Sequence, residues 1–338
     1  YELLIIQEIW DVLRAFASFG FCKAHAAAFA LPTYQSAWLK THYPAAFLAG
    51  VLTHDPGMYP KRLIVDEARQ MGITIAPIDV NASDAVYRVE DHGNAIRIAL
   101  STVSGISDGE VQSIIAGRPY IDLNDFVRRS GCSTPVTESL ILTGGFDSLH
   151  SDVNRRDLLL HFSDLQKSPS AAVSGAQMNL GFEPPALISS GLPAMTASES
   201  VKHEIDRLGI DMSRHMIEFY GEFLNAIGAV RSSDLLKQRS QSSVLVAGIK
   251  VAMQTPPVRS GKRVIFLTLD DGYGCSDSTF FTDVQSEYAN VLYSTSLLLV
   301  RGVTRRTGAR GISIRATGAW DLRAAYESWS AKQSTLAI

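Results

Sequence analysis

Between Ser168 and Ser198 the chain carries one charged residue, Glu183, in a run of Ser, Ala, Gly and Pro. A stretch of this composition reads as a tether and not as part of a packed core. It divides the 338 residues into a helical portion before it and a strand-rich portion after it, which sets the expected class: α+β, in several domains.

The first sixty residues are helical in pattern. Leu3, Leu4, Ile6, Trp10, Leu13 and Phe16 recur at helical spacing, and Gly20 ends the run. A second helix is predicted from His25 to about Lys40, with a kink or break near Leu31 because Pro32 sits inside it. Pro44 suits the first turn of a third helix, and Lys61–Gln70 forms a short amphipathic helix closed by Gly72. Val86–Val89 and Ile96–Ile98 read as strands joined through Asp91–Asn94. Short helices follow at Asp108–Ala116, Leu123–Arg129, Val136–Leu142 and Asn154–Leu165, and the turns at Gly105 and Gly144 suggest two copies of one helical hairpin.

Beyond the tether, a helix over Glu199–Leu208 leads to five predicted strands: Ser243–Val251, Arg263–Leu269, Thr279–Val284, Ser296–Val303 and Gly311–Ala316. Five short strands with glycine turns in so little chain point to a Greek-key barrel of the OB type. The net charge of −3 excludes a uniformly basic coat. From Val244 to Trp320, however, nine Lys and Arg face five Asp and Glu. A cationic barrel with Phe266, Tyr273, Phe280 and Phe281 for stacking suits single-stranded DNA, although alternation puts half or more of those rings in the core. Lys250, Arg301, Arg305 and Arg306 are the candidate phosphate contacts.

Catalytic patterns are missing. Neither a phosphate-binding glycine loop nor a nucleophile elbow occurs. Cys22, Cys132 and Cys275 form no paired motif, so no disulfide framework or structural zinc is expected and a cytoplasmic setting is the default. Asp270-Asp271 before Gly272 reads as a turn, so no metal ligands and no catalytic residues are assigned. The chain opens on Tyr1 and runs straight into an apolar helix, which suggests a segment that begins inside a larger protein. No apolar stretch approaches the ~20 residues that span a bilayer, so no membrane partner is expected.

The segment Phe19–Phe47, FGFCKAHAAAFALPTYQSAWLKTHYPAAF, resembles the fingers signature of the bacterial C-family DNA polymerases, the DNA polymerase III alpha subunits. The order of segments agrees over nearly the whole chain, and ALPTYQSAWLK most resembles the error-prone, damage-inducible branch. Pro32 departs from the replicative branch, where an aliphatic residue is usual. The resemblance implies four regions: fingers over 1–80, a β-hairpin with tandem helix-hairpin-helix over 81–166, a linker with a clamp-binding peptide over 167–198, and an OB-fold domain over 199–338. It makes Lys23 and His25 candidates for triphosphate contacts, with Tyr34 and Lys40 on the same signature and Trp38 and Phe47 as core. Gly105 and Ser107 fall at the phosphate-facing turn of the first hairpin. Gln177, Met178, Leu180 and Phe182 match a sliding-clamp peptide.

The function so implied is error-prone DNA synthesis by the whole enzyme, using Mg²⁺ held by residues outside this chain, so that the segment alone is inactive and binds no cofactor. Its partners would be primer-template and single-stranded DNA, deoxynucleoside triphosphates, the sliding clamp and accessory mutagenesis proteins. Two alternatives stay open: a stand-alone nucleic-acid-binding protein without enzymatic function, and a truncated replicative alpha subunit.

Overall fold

The computed structural model describes residues 2–17, 23–55, 57, 59–167, 187–256, 263–309 and 311–336. It begins with helices α1 (Leu3–Ala17), α2 (Lys23–His42), α3 (Pro44–His54) and α4 (Lys61–Gln70). Helix α2 runs through Pro32 without the break that was one of the two expected outcomes there. Proline removes the bond to the carbonyl of Ala28, but Ala28 is exposed, so water can take that carbonyl. Pro44 occupies the first turn of α3, where no N–H is needed.

Three short strands follow, β1 (Thr74–Ala76), β2 (Arg88–Glu90) and β3 (Ala95–Arg97), ordered β1-β3-β2. The β2–β3 hairpin matches the sequence reading, whereas β1, which pairs parallel to β3, is not among the expected strands, although Ile73-Thr74-Ile75 is a β-branched run. Helices α5 (Asp108–Ala116), α6 (Leu123–Ser130), α7 (Thr134–Leu142) and α8 (Arg155–Lys167) form the two hairpins. Their centre is a ring stack: Tyr120 lies edge-on to Phe126, and Phe126 edge-on to Phe146, each at 4.9 Å. One apolar core runs from Ala45 to Phe162 and takes in Leu208, Ile210 and Met212, so it crosses the boundary expected at residue 80.

The last part of the tether lies against α8, with the Ser190 N–H and hydroxyl donating to Asp157. Helices α9 (Ala197–Leu208) and α10 (Gly221–Ala226) then lead into the barrel. Its strands are β4 (Ser243–Gln254), β5 (Ile265–Asp270), β6 (Cys275–Phe280), β7 (Leu297–Arg306) and β8 (Ile312–Asp321), closed in the order β4-β5-β6-β8-β7. Helix α11 (Thr282–Ser294) bridges β6 and β7, and α12 (Leu322–Leu336) follows β8. This is OB connectivity, closed by a short parallel seam of β6 on β8. The third strand lies at 275–280 and not at the expected 279–284, because after Phe281 the chain has already turned into α11. Inward residues such as Val246, Leu267, Phe280 and Val300 fill the interior. A separate apolar layer seats α12 on the outside of β4 and β7.

Candidate nucleic-acid interface

Among the described residues, the β7–β8 hairpin carries four exposed cations, Arg301, Arg305, Arg306 and Arg315. Strand alternation buries Val300 and Gly302 and turns Arg301 outward, where its guanidinium lies 5.3 Å from the Trp320 ring. Gly302 is required there: a Cβ would stand 2.4 Å from the Arg315 carbonyl oxygen of the paired strand. Arg305, opposite Ser313, is exposed and makes no ion pair among the described residues. Arg306 is less free than the sequence suggests, since its guanidinium donates to the Leu236 and Gln238 carbonyls. Lys250 is a correction. Its ammonium turns inward and donates to the Leu292 carbonyl at 2.7 Å, and burial lowers its pKa. Of the four rings proposed for stacking, Phe280 is fully buried, whereas Phe266 (45 %), Tyr273 (43 %) and Phe281 (39 %) are exposed. Arg315, which the sequence reading only counted, lies 5.4 Å from the Phe281 ring.

At the first hairpin Gly105 takes φ +80°, as a turn glycine should. Ser107 caps α5, but its backbone N–H is already taken: it donates to Glu110 Oε2 at 2.9 Å. The other oxygen of Glu110 accepts the Ser133 N–H at 2.9 Å and its hydroxyl at 2.7 Å. One carboxylate therefore joins the starts of α5 and α7, and these hydrogen bonds, led by that from Ser133, pull its pKa down to about 2. The expected phosphate-facing role of Ser107 is filled from inside the protein.

In the N-terminal helices, Lys23 opens α2 and is exposed, as is His25, whose ring packs edge-on to Phe29 at 4.6 Å. Tyr34 is exposed. Lys40 pairs with Glu67 of α4 at 2.6 Å, a tie that occupies it structurally. Trp38 is not core, contrary to expectation: it is exposed and touches His42 and Tyr43, while Phe47 does pack on the core.

Comparison with known proteins extends this picture. A helix-hairpin-helix motif family matches residues 72–158. The error-prone DNA polymerase of Symbiobacterium thermophilum is 31 % identical over 92 % of this chain and 33 % of its own length. The DNA polymerase III subunit alpha of Escherichia coli strain K12 is 30 % identical over 96 % of this chain and 30 % of its own length. Over most of its length the chain is similar to one part of these bacterial DNA polymerases. It spans about a third of the length of the curated relatives it matches. Among solved structures, the mitochondrial single-stranded DNA binding protein Rim1 from S. cerevisiae aligns with 25 % of this chain and 96 % of its own at 15 % identity, with a TM-score of 0.21.

The segment that resembles a clamp peptide, Gln177 to Phe182, lies outside the described residues. No helix among the described residues is long and apolar enough to cross a membrane. The Asp270-Asp271 pair does form a turn: Asp270 Oδ1 accepts the Gly272 N–H at 3.0 Å, and Asp271 holds the Ser232 N–H at 2.7 Å.

Asp270 also belongs to a buried cluster that the sequence did not reveal. Its Oδ2 lies 3.3 Å from His215 Nε2, which lies 3.7 Å from Asp66 Oδ2 on α4. Arg69 binds Asp66 at 2.6 Å and the Met212 carbonyl at 2.8 Å, and Asp211, fully buried, adds a third carboxylate. The three closest groups have the spacing of metal ligands. The Ile217 N–H, however, donates to His215 Nδ1 at 3.2 Å, which leaves the neutral ring's proton on Nε2, the atom a metal would need. The cluster is better read as a polar joint between α4 and the barrel. Burial pushes Asp66 up to about 7, against the pull of His215 and with added repulsion from Asp211 and Asp270. Nothing local marks this site, because its members lie on segments up to 204 residues apart.

Proposed function

We propose that this chain is the DNA-handling portion of an error-prone C-family polymerase, with the barrel holding single-stranded template. The observation that carries this is the closed barrel whose outer β7–β8 hairpin presents Arg301 beside Trp320 and an exposed Arg305 farther along the same strand. A cation row flanked by aromatic faces is the arrangement that binds backbone phosphates and stacks bases. The helical hairpins would lie along duplex primer-template. Lys23 and His25, both exposed at the start of α2, would meet the incoming deoxynucleoside triphosphate in the intact enzyme. The tether would bring the sliding clamp through Gln177, Met178, Leu180 and Phe182. Error-prone synthesis on damaged templates, accessory mutagenesis proteins and a cytoplasmic setting follow from the likeness to the error-prone branch.

The intact polymerase would work with Mg²⁺ held by other carboxylates. Here Asp66 and Asp270 are committed to Arg69, His215 and the Gly272 turn. Purified residues 1–338 should accordingly extend no primer.

The salt dependence of oligothymidylate binding tests the barrel reading. Each strand phosphate neutralised contributes a slope of about 0.7, so Arg305→Ala should flatten the plot by that amount. Arg306→Ala, whose guanidinium is tied to backbone carbonyls, should change it little. Equal slopes for the Arg305 variant and the parent would remove the hairpin from the DNA path.

A further inference from the structure

Beside the arginine hairpin, the barrel has a cleft of about 550 Å³, within the roughly 300–1,000 Å³ range of ligand pockets. Its origin is topological. The parallel seam of β6 on β8 lasts for only two residue pairs, Ser278 with Ile314 and Thr279 with Arg315. Strand β6 then ends at Phe280 and the chain leaves as α11, while β8 continues to Asp321. The gap is lined by Thr279, Phe281, Asp283, Arg305, Arg315 and Ala316 among others.

The lining has two kinds of chemistry. Phe281 supplies a half-exposed aromatic face, and the Arg315 guanidinium lies over it at 5.4 Å. Besides that ring, Arg315 approaches Asp283 at 3.7 Å, with both side chains largely exposed, and such a pair is worth little in water. Arg305, without an ion pair among the described residues, adds a second cation; the Thr279 hydroxyl and the Thr317 oxygen, whose proton goes to the Arg301 carbonyl at 3.3 Å, also line the cleft. An aromatic plane, two guanidiniums and hydroxyls around one cavity match one ligand class: a nucleotide, with a flat base and an anionic phosphate.

We propose that this cleft is a base-stacking subsite for one nucleotide of a bound single strand, with the base on Phe281 and its phosphate between Arg305 and Arg315. The subsite rests on the single-strand reading of the barrel and gives it a location. It also gives Arg315 a role.

The test uses the full chain and a fluorescein-labelled oligothymidylate of about 15 nucleotides, long enough for one OB barrel. Phe281→Ala should weaken binding roughly 5- to 150-fold, the usual worth of one base–aromatic stack. Phe281→Trp should retain affinity, which separates stacking from folding. An oligonucleotide of the same length with abasic sites should show no difference between Phe281→Ala and the parent. Arg315→Ala should flatten the salt slope by about 0.7. If the parent binds the oligothymidylate and Phe281→Ala binds equally well, the cleft is off the strand path and this inference fails alone. If the parent binds none at low salt, the single-strand reading fails and takes the cleft with it. Competition by thymidine monophosphate tells the two nucleotide sources apart. Displacement of the oligonucleotide only at concentrations far above its own affinity supports a strand subsite. Tight binding of the free nucleotide without displacement overturns it.

Discussion

Asp66→Asn probes the buried joint between α4 and the barrel. In the folded protein the Asp66 carboxyl is 1 % exposed, and burial raises its pKa from 3.8 to about 7. Its surroundings are Arg69 on its own helix, Asp211 and His215 on the connecting segment, and Asp270 on β5. The folded pKa lies above the unfolded one, so the group's favourable contribution is complete below about pH 4. It is lost as pH rises through about 7. At about 1.4 kcal/mol per pH unit, the whole window corresponds to roughly 4 kcal/mol, of which about 2–3 kcal/mol falls between pH 5 and 8. Burial raises the Asp211 pKa as well, and its loss runs in the same direction. For His215, burial lowers the pKa, but the Asp270 hydrogen bond and the nearby carboxylates outweigh it, so its contribution too fades as pH rises. Asp270 runs the other way: burial opposes ionisation, the His215 and Gly272 hydrogen bonds win, and its contribution is lost as pH falls. Asparagine keeps an oxygen for Arg69 and cannot ionise. Urea unfolding followed by circular dichroism from pH 5 to 8 should therefore show the variant gaining about 2–3 kcal/mol relative to the parent. Parallel pH curves for the two proteins would refute the assignment of a raised Asp66.

Gly302→Ala should destabilise the barrel by about 1–3 kcal/mol, seen as a lower unfolding temperature, because the added methyl meets the Arg315 carbonyl and the Ile314 side chain at 2.4 Å. Glu110→Gln should cost about 0.5–2 kcal/mol through weaker capping of α5 and α7. It should also raise duplex DNA affinity in a binding titration, since it removes an anion from the hairpin turn; unchanged affinity would place that turn away from phosphate. Lys23→Ala in the intact polymerase should weaken use of the incoming nucleotide roughly 10- to 150-fold, the worth of a charge-assisted hydrogen bond, in steady-state incorporation. A synthetic peptide spanning Gln177–Phe182 should bind the cognate clamp, and Ala at Leu180 and Phe182 together should remove most of that binding in calorimetry, as apolar anchors carry small interfaces.

Local physics was enough for most of the elements. Pro44 and Gly72 bracket helices, Ser107 and Glu110 form a capping box, and alternation along Leu297–Arg306 puts Val300 inside and Arg301 outside. These features depend on neighbours a few residues away, so the order of residues reveals them. The long signature at Phe19–Phe47 likewise pointed to the family before any fold was known. Tertiary structure decided which of the marked residues remain available. Lys250 reads as a surface cation but finds the Leu292 carbonyl, Arg306 finds carbonyls near residue 237, and the Ser107 N–H finds a carboxylate. Strand β1 finds a parallel edge on β3, and α11 begins where β6 runs out of its β5 partner at Phe280. The joint of Asp66, Asp211, His215 and Asp270 and the cleft at Phe281 and Arg315 each assemble side chains from distant segments. Their chemistry depends on low dielectric and on distances of a few ångströms, which only the folded chain creates.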